Sequence, residues 1–353
     1  VSPSLTVSHD SLAAPRISLR AAAPLVVGLG VAALAVASLP GAGELREKLS
    51  GAAPGWVAVA LALELASCLA FVLAFRGALG RRLPWGFSTK VGLTVQGTNV
   101  AVPTGGAGGL AVAGWALRKT GMPADRIARR SVALFLLTSS VNFVAAAIAG
   151  FALAAGVTGD VSPGLALVPA LGAVLAIAAV VALPRFARAA SGEAGGTGRL
   201  ARWRSLARDT AVDGVRDAGL LLRRRDRLVL AGAIGYMAFD LLALTAAFEA
   251  VGAPPAAGAL LLGYVVGQLG GLIPTPGGIG GTDGGLVGAL ALYGTPLAAA
   301  AAAVVLYRLF QLGVPALLGA ISLASLPRAL DRQARPAAAA PCEPMLAPRL
   351  VAA

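Results

Sequence analysis

Few side chains in this sequence can do more than pack, and most of those that can lie inside apolar segments. Glu64, Asp240, Asp283 and Arg308 are all embedded in hydrophobic surroundings. A charge at the centre of a bilayer costs at least about 2.5–3.5 kcal/mol on insertion scales, so such residues face a cavity or a partner. Arg308 is the one cation placed at depth, and its planar fork matches a phosphate; the other reading is an internal salt bridge to Asp283 or Asp240. Glu64 and Asp240 suit the carriage of protons or cations, or else are protonated or hydrogen-bonded within a helix bundle. Gln96, Asn99 and Gln268 either line the same cavity or bond neighbouring helices, a contact worth only about 1 kcal/mol.

Several of these residues flank a doubled motif. Gln96-Gly-Thr-Asn-Val-Ala-Val-Pro103-Thr-Gly-Gly-Ala-Gly-Gly109 is answered by Gln268-Leu-Gly-Gly-Leu-Ile-Pro274-Thr-Pro-Gly-Gly-Ile-Gly-Gly281, and each copy interrupts a hydrophobic segment near its middle. A Gly/Pro-broken pair at corresponding places in two halves points to a transporter's substrate site. Irregular backbone at that depth survives only when buried in protein or lining an aqueous cavity. Pro103, Pro274 and Pro276 cannot donate hydrogen bonds, while Gly277, Gly278 and their neighbours admit positive φ and close approach. Helix arms then restart near Gly108 and Thr282. Thr282 and Asp283 have the character of helix N-terminal residues. Two such N-termini converging on the midplane suit an anionic group. The competing explanation is close helix packing through small residues.

Composition supplies the elements that hold these residues. The chain has 353 residues, 57% hydrophobic and only 13% charged, where an ordinary soluble protein carries about 25% charged residues. Runs long enough for a spanning helix, about 20 residues, recur throughout. The fold class is an all-α polytopic membrane protein; long unbroken apolar runs exclude a β-barrel, whose strands alternate. About six full spans are predicted, at 21–39, 55–75, 131–153, 163–183, 228–250 and 296–326, the last tilted and kinked at Pro315. Two re-entrant broken-helix hairpins, near 91–117 and 257–293, complete an inverted repeat. The halves are 21–184 and 228–326.

Charge sets the orientation. The formal net charge is +13, and the positive-inside rule explains it better than nucleic-acid binding does. Basic residues gather in 1–20, 76–90, 118–130, 185–227 and 327–353, which places these pieces in the cytoplasm and both termini inside. The first hairpin then enters from the cytoplasmic face and the second from the outer face. In the basic loop 185–227, Leu200, Trp203, Ala207, Ala211 and Val215 recur at helical spacing; the loop reads equally as an amphipathic helix on an anionic leaflet or as an ordinary solvated loop. The Pro/Ala-rich stretch 327–353 reads as a disordered tail. With His9 the single histidine and only Cys68 and Cys342 as thiols, no metal, cofactor or nucleophilic chemistry is implied, and no enzymatic activity is expected.

The residues Ile273-Pro-Thr-Pro-Gly-Gly-Ile-Gly-Gly-Thr-Asp283, Gly294, Leu306-Tyr-Arg308-Leu and Pro315 with Gly319 resemble the C-terminal signature of the flippase-like membrane family, also named for the transmembrane region of bacterial lysylphosphatidylglycerol synthase. Phe75-Arg-Gly-Ala-Leu, Asn99-Val-Ala-Val-Pro103 and the Gly121 turn resemble its first half, so the likeness spans roughly 20–326. In that family the position of Asp283 is usually glutamate, and the first break often carries an acid where this chain has Gly108 or Gly109. The resemblance implies a lipid-translocating module of a bacterial cytoplasmic membrane that moves a phospholipid or polyprenyl-phosphate headgroup between leaflets. Arg308 and the hairpin N-termini would hold phosphate, and Asp283 or Asp240 a basic headgroup or protons. The 353 residues hold no aminoacyl-transfer domain, so synthesis of a lysyl-lipid is not expected. Two other readings stand beside this one: a secondary transporter of a small solute, and a non-transporting partner subunit that docks a lipid-modifying enzyme through 185–227.

Overall fold

The computed structural model describes residues 42–102, 107–157, 161–189, 198–269 and 278–334. Every regular element among them is helical: α1 (Ala42–Ser50), α2 (Pro54–Phe75), α3 (Trp85–Ala101), α4 (Ala107–Lys119), α5 (Ala124–Ala154), α6 (Pro163–Ala189), α7 (Arg199–Arg223), α8 (Arg227–Ala250), α9 (Ala257–Gln268), α10 (Gly281–Leu292) and α11 (Leu297–Ala334). Among the described residues, five stretches are long and apolar enough to cross a membrane: Pro54–Gly80, Ala124–Ala154, Pro163–Ala187, Arg227–Ala250 and Leu297–Gln333. The sixth expected span, 21–39, lies outside the described residues. Phe135, Ile148, Leu175 and Leu317 each leave 63–68% of their surface uncovered by protein. On helices of this length, that outward apolar surface is matched to lipid hydrocarbon.

Helix ends follow local chemistry. Pro54 sits in the first turn of α2, where its missing N–H costs nothing. Asp226 caps α8, its carboxylate accepting from the amides of Leu228 and Val229. The helix α2 and the helix α8 form the most extensive pair, and α3 lies along α11. At that second contact a Cβ on Gly97 would stand 2.7 Å from the Gly319 Cα, so the two backbones touch through paired glycines. Two apolar clusters make the core. One gathers Phe248, Leu262, Leu286, Leu290 and Tyr307; the other gathers Phe75, Phe87, Val91, Leu117, Leu134 and Leu326.

Three expectations are revised and one element is new. The span 296–326 does not end at Pro327: α11 continues to Ala334 with both Pro315 and Pro327 inside it. Leu326 and Leu330, one turn apart, are buried in the second cluster, and that burial carries the helix past the proline. Residues 335–353 lie outside the described residues. The stretch 76–90 is not a loop. Arg76–Gly80 form a buried π-helical turn continuing α2, and α3 already begins at Trp85. The apolar stripe on α7 is rotated by about one residue. Val212, Ala218 and Leu221 are buried, whereas Ala207 is exposed and Ala211 and Val215 are half-buried. Asp217 lies on the buried side, held by Arg129 and Arg130 of α5 at 3.6 and 3.1 Å; this docking of α7 on α5 turns its face away from the predicted one. The side chains of Leu200 and Trp203 lie outside the described residues. Finally, α1 is a short helix that the hydropathy pattern does not signal, and it packs on α11.

Candidate functional site

The arm α10 restarts just after the second Pro/Gly break, and its first turn is organised by Asp283. One carboxylate oxygen accepts the Gly280 amide at 2.9 Å, satisfying a donor that a helix start would otherwise leave free. The other lies 2.5 Å from the Arg308 Nε. Arg308, on α11, is only 6% exposed and also donates from Nη1 to the Gln311 amide oxygen. Thr282 is buried beside them. Gly278 has φ +71°, and a Cβ there would meet Thr282 Oγ1 at 2.5 Å and Arg308 Nη2 at 3.5 Å. Only glycine fits a backbone wrapped that closely over the guanidinium.

A second polar cluster lies one residue back along α11. Tyr307 donates its hydroxyl to Asp240 Oδ2 at 2.8 Å, and Tyr264 of α9 donates to the same oxygen. Gln268 is within hydrogen-bonding reach of the Tyr264 hydroxyl. Across the α2–α8 contact, Glu64 stands within side-chain hydrogen-bonding reach of Asp240, and the Cys68 thiol points at Glu64 Oε1 at 3.9 Å. Glu64 is 3% exposed and Asp240 6%. Because Tyr307 and Arg308 are consecutive on α11, the ion pair and the carboxyl cluster adjoin as one site. It joins α2, α8, α9, α10 and α11.

Of the residues singled out from the sequence, the fold thus brings together Glu64, Asp240, Gln268, Gly278, Thr282, Asp283 and Arg308. Pro103, Pro274 and Gly277 lie outside the described residues. Asn99 serves the first break: its side-chain oxygen accepts the Gly109 amide at 3.0 Å near the start of α4. A Cβ on Gly109 would fall 2.8 Å from both Asn99 Cγ and the Val95 carbonyl oxygen. Asn99, from the preceding arm, thus fills the space beside Gly109, and any larger side chain there would have to displace it. Gln96 reaches instead to the Cys68 carbonyl at 3.1 Å and ties α3 to α2.

Three residues escaped the sequence reading. Tyr264 and Tyr307 are phenols at mid-depth in apolar segments, in a chain with only four tyrosines; that scarcity is the signal that could have marked them. Arg76 counts in the sequence as one more cytoplasmic charge. In the fold it is 9% exposed, donates to the Leu83 carbonyl at 2.6 Å and Ser88 Oγ at 3.1 Å, and lies 4.0 Å over the Trp85 ring.

Comparison with known proteins bears on this arrangement. The sequence model of the family described as the Lysylphosphatidylglycerol synthase TM region matches residues 25–319. No curated protein matches the chain.

Proposed function

The chain belongs to the family of the Lysylphosphatidylglycerol synthase TM region, and from that premise and the site just described we propose that it translocates a phospholipid or polyprenyl-phosphate headgroup between leaflets. The observation that carries the reading is the pairing of buried Arg308 with half-buried Asp283 at the N-terminus of α10. A headgroup phosphate competes with the Asp283 carboxylate for the Arg308 fork and gains the positive end of the α10 dipole. The acyl chains stay in lipid. The Glu64–Asp240 pair, linked to Arg308 through Tyr307 and Asp240, takes up or releases a proton as the phosphate arrives and leaves, which couples movement to a proton gradient.

The architecture in this reading is an inverted repeat with two re-entrant hairpins in a bacterial cytoplasmic membrane, both chain ends inside. What supports it is an exchanged packing pattern. The helices before the two hairpins, α2 and α8, pack on each other; the first hairpin's α3 packs on α11, after the second, while the second hairpin's α9 packs on α5, after the first. Leu83, just before α3, and Thr120, just after α4, line one cavity among arginines, which fits a first hairpin that opens toward the basic end of the bundle. Tyr293, just after α10, bonds the Leu165 carbonyl near the start of α6, and the Ala53 amide bonds the Ala250 carbonyl. Such contacts are what a second hairpin with its mouth at the other end would make.

The test is headgroup flipping in liposomes of purified protein, using several anionic and isoprenoid phosphate lipids. Acceleration that falls at least tenfold in Arg308→Ala supports the reading. No acceleration with any of these lipids overturns it.

A further inference from the structure

At the basic end of the bundle the turns around 76–83, 120–130 and 220–227 border an open cavity of about 820 Å³. Eight arginines line it, among them Arg82, Arg126, Arg224, Arg225 and Arg227, against a single acid, Asp226. That acid is already engaged, capping α8 and pairing with Arg81 at 3.0 Å. Arg129 and Arg130 share Asp217. The five arginines just named enter none of the ion pairs found among the described residues. All five are exposed around this hollow, so solvent and salt soften their mutual repulsion without removing it.

Orientation in a membrane requires basic residues at this end, but not that they converge on one hollow. One of them also sits where a side chain is unfavourable. Five helices end in the same pair of backbone bonds, with the residue at the turn donating to the carbonyl three back and its successor to the carbonyl five back from itself. Four of the five use glycine there, Gly121, Gly156, Gly252 and Gly294, at φ +71° to +90°. The fifth, closing α7 inside the cavity wall, uses Arg225 at φ +46°, the one non-glycine residue with positive φ among those described. A cation is kept where the chain elsewhere places glycine. Sparsely populated backbone conformations of this kind cluster at ligand clamps. Leu79, Leu83, Met122 and Leu220 line the same cavity, giving the cations an apolar neighbour.

We propose that this cavity is a binding site for an anion bearing two or more phosphate groups close together. A single phosphate leaves most of the wall uncompensated, whereas paired phosphates span several guanidinium forks. Basic pockets between membrane helices at this level take such lipid headgroups, and the adjoining leucines suit an amphiphile; a soluble polyphosphate shares the recognition chemistry. The site shares no lining residue with the Arg308 cluster and does not rest on the translocation reading.

The full chain in neutral detergent is titrated with diphosphatidylglycerol, with phosphatidylglycerol and with inorganic pyrophosphate, following thermal unfolding and the native mass spectrum. The diphosphate lipid is expected to raise the unfolding midpoint and remain bound, with phosphatidylglycerol at least tenfold weaker. The triple variant R126Q/R224Q/R225Q binds at least tenfold more weakly than wild type, while Arg204→Gln, on the exposed part of α7, does not. Arg225→Gly separates fold from site: without ligand its midpoint rises, since glycine relieves the turn, and the ligand-induced rise shrinks. Pyrophosphate that displaces the lipid, or binds in its place with the same arginine dependence, also supports the site and assigns the source. Binding by neither probe, equal loss in Arg204→Gln, or an undiminished ligand response in Arg225→Gly overturns it.

Discussion

Tyr307 and Arg308 are consecutive on α11, yet they hold two different carboxylates: Tyr307 donates to Asp240 at 2.8 Å and Arg308 pairs with Asp283 at 2.5 Å. Adjacent helical residues point about 100° apart, so one short segment of α11 addresses the carboxyl cluster on α2 and α8 and the helix start after the second break. The Leu306-Tyr-Arg308-Leu motif therefore marks a junction, and rotation or translation of α11 would alter both contacts together.

The two halves of the ion pair are unequally buried, which fixes the order of their losses. The Arg308 side chain is 8% exposed and that of Asp283 28%. Asp283→Ala removes the close counter-charge of a nearly enclosed guanidinium, which keeps its bond to Gln311, and removes the bond to the Gly280 amide, so it should cost about 3 kcal/mol. Arg308→Ala leaves a carboxylate that solvent can still reach and should cost less. Asp283→Glu, one methylene longer, should keep the pair and lose about 1 kcal/mol through the disturbed cap. Denaturation of the three variants in one detergent measures the order; Arg308→Ala proving the more damaging would contradict this account.

Glu64 and Asp240 separate a structural role from a titrating one. Glu64→Gln retains a polar side chain of the same size that donates to Asp240, so folding should survive. If the pair carries the coupling proton, the variant's flipping rate should become nearly independent of pH while wild type varies. Tyr307→Phe removes one donor from a buried carboxyl and should cost about 1–3 kcal/mol. The same pH profile in wild type and Glu64→Gln would leave the pair a purely structural contact.

The α3–α11 contact should be intolerant of the smallest added side chain. A methyl at Gly97 would stand 2.7 Å from the Gly319 Cα and 2.7 Å from the Pro315 carbonyl oxygen. Both obstacles are backbone, so relief requires the helices to part. Gly97→Ala should therefore lower stability by about 1–3 kcal/mol, and Gly319→Ala likewise, whereas Gly114→Ala, with nothing within 4 Å, should be neutral. Thermal midpoints of the three variants test this directly.

The spanning helices were legible because a bilayer imposes one length on any apolar run, and 131–153 and 228–250 lie inside the observed α5 and α8. The Arg308–Asp283 contact was legible as one of two pairings, because buried charge must be matched. The tyrosines were not: Tyr264 and Tyr307 reach Asp240 from 24 and 67 residues away, and no local pattern records which helix faces which. Proline misled at Pro327, where burial of Leu326 and Leu330 outweighs the local penalty. The stripe on α7 was misplaced because basic residues flank every face, and only the partner arginines on α5 decide that Asp217 turns inward.

Arg76 offers the sharpest test of a residue read as surface charge and found buried. Its guanidinium donates to a carbonyl at 2.6 Å and a hydroxyl at 3.1 Å, and stacks 4.0 Å over Trp85. A lysine keeps the charge, so the positive-inside signal is unchanged. It lacks the planar fork that meets several acceptors while lying flat on a ring. Arg76→Lys should thus insert with the same orientation yet lose about 1–3 kcal/mol of stability, and Trp85→Leu should lose part of the same energy. In a double-mutant cycle the two losses should fall short of additive by about 0.5–2 kcal/mol. Strict additivity would mean that the stacking contributes nothing and that Arg76 acts only through the Leu83 carbonyl and Ser88.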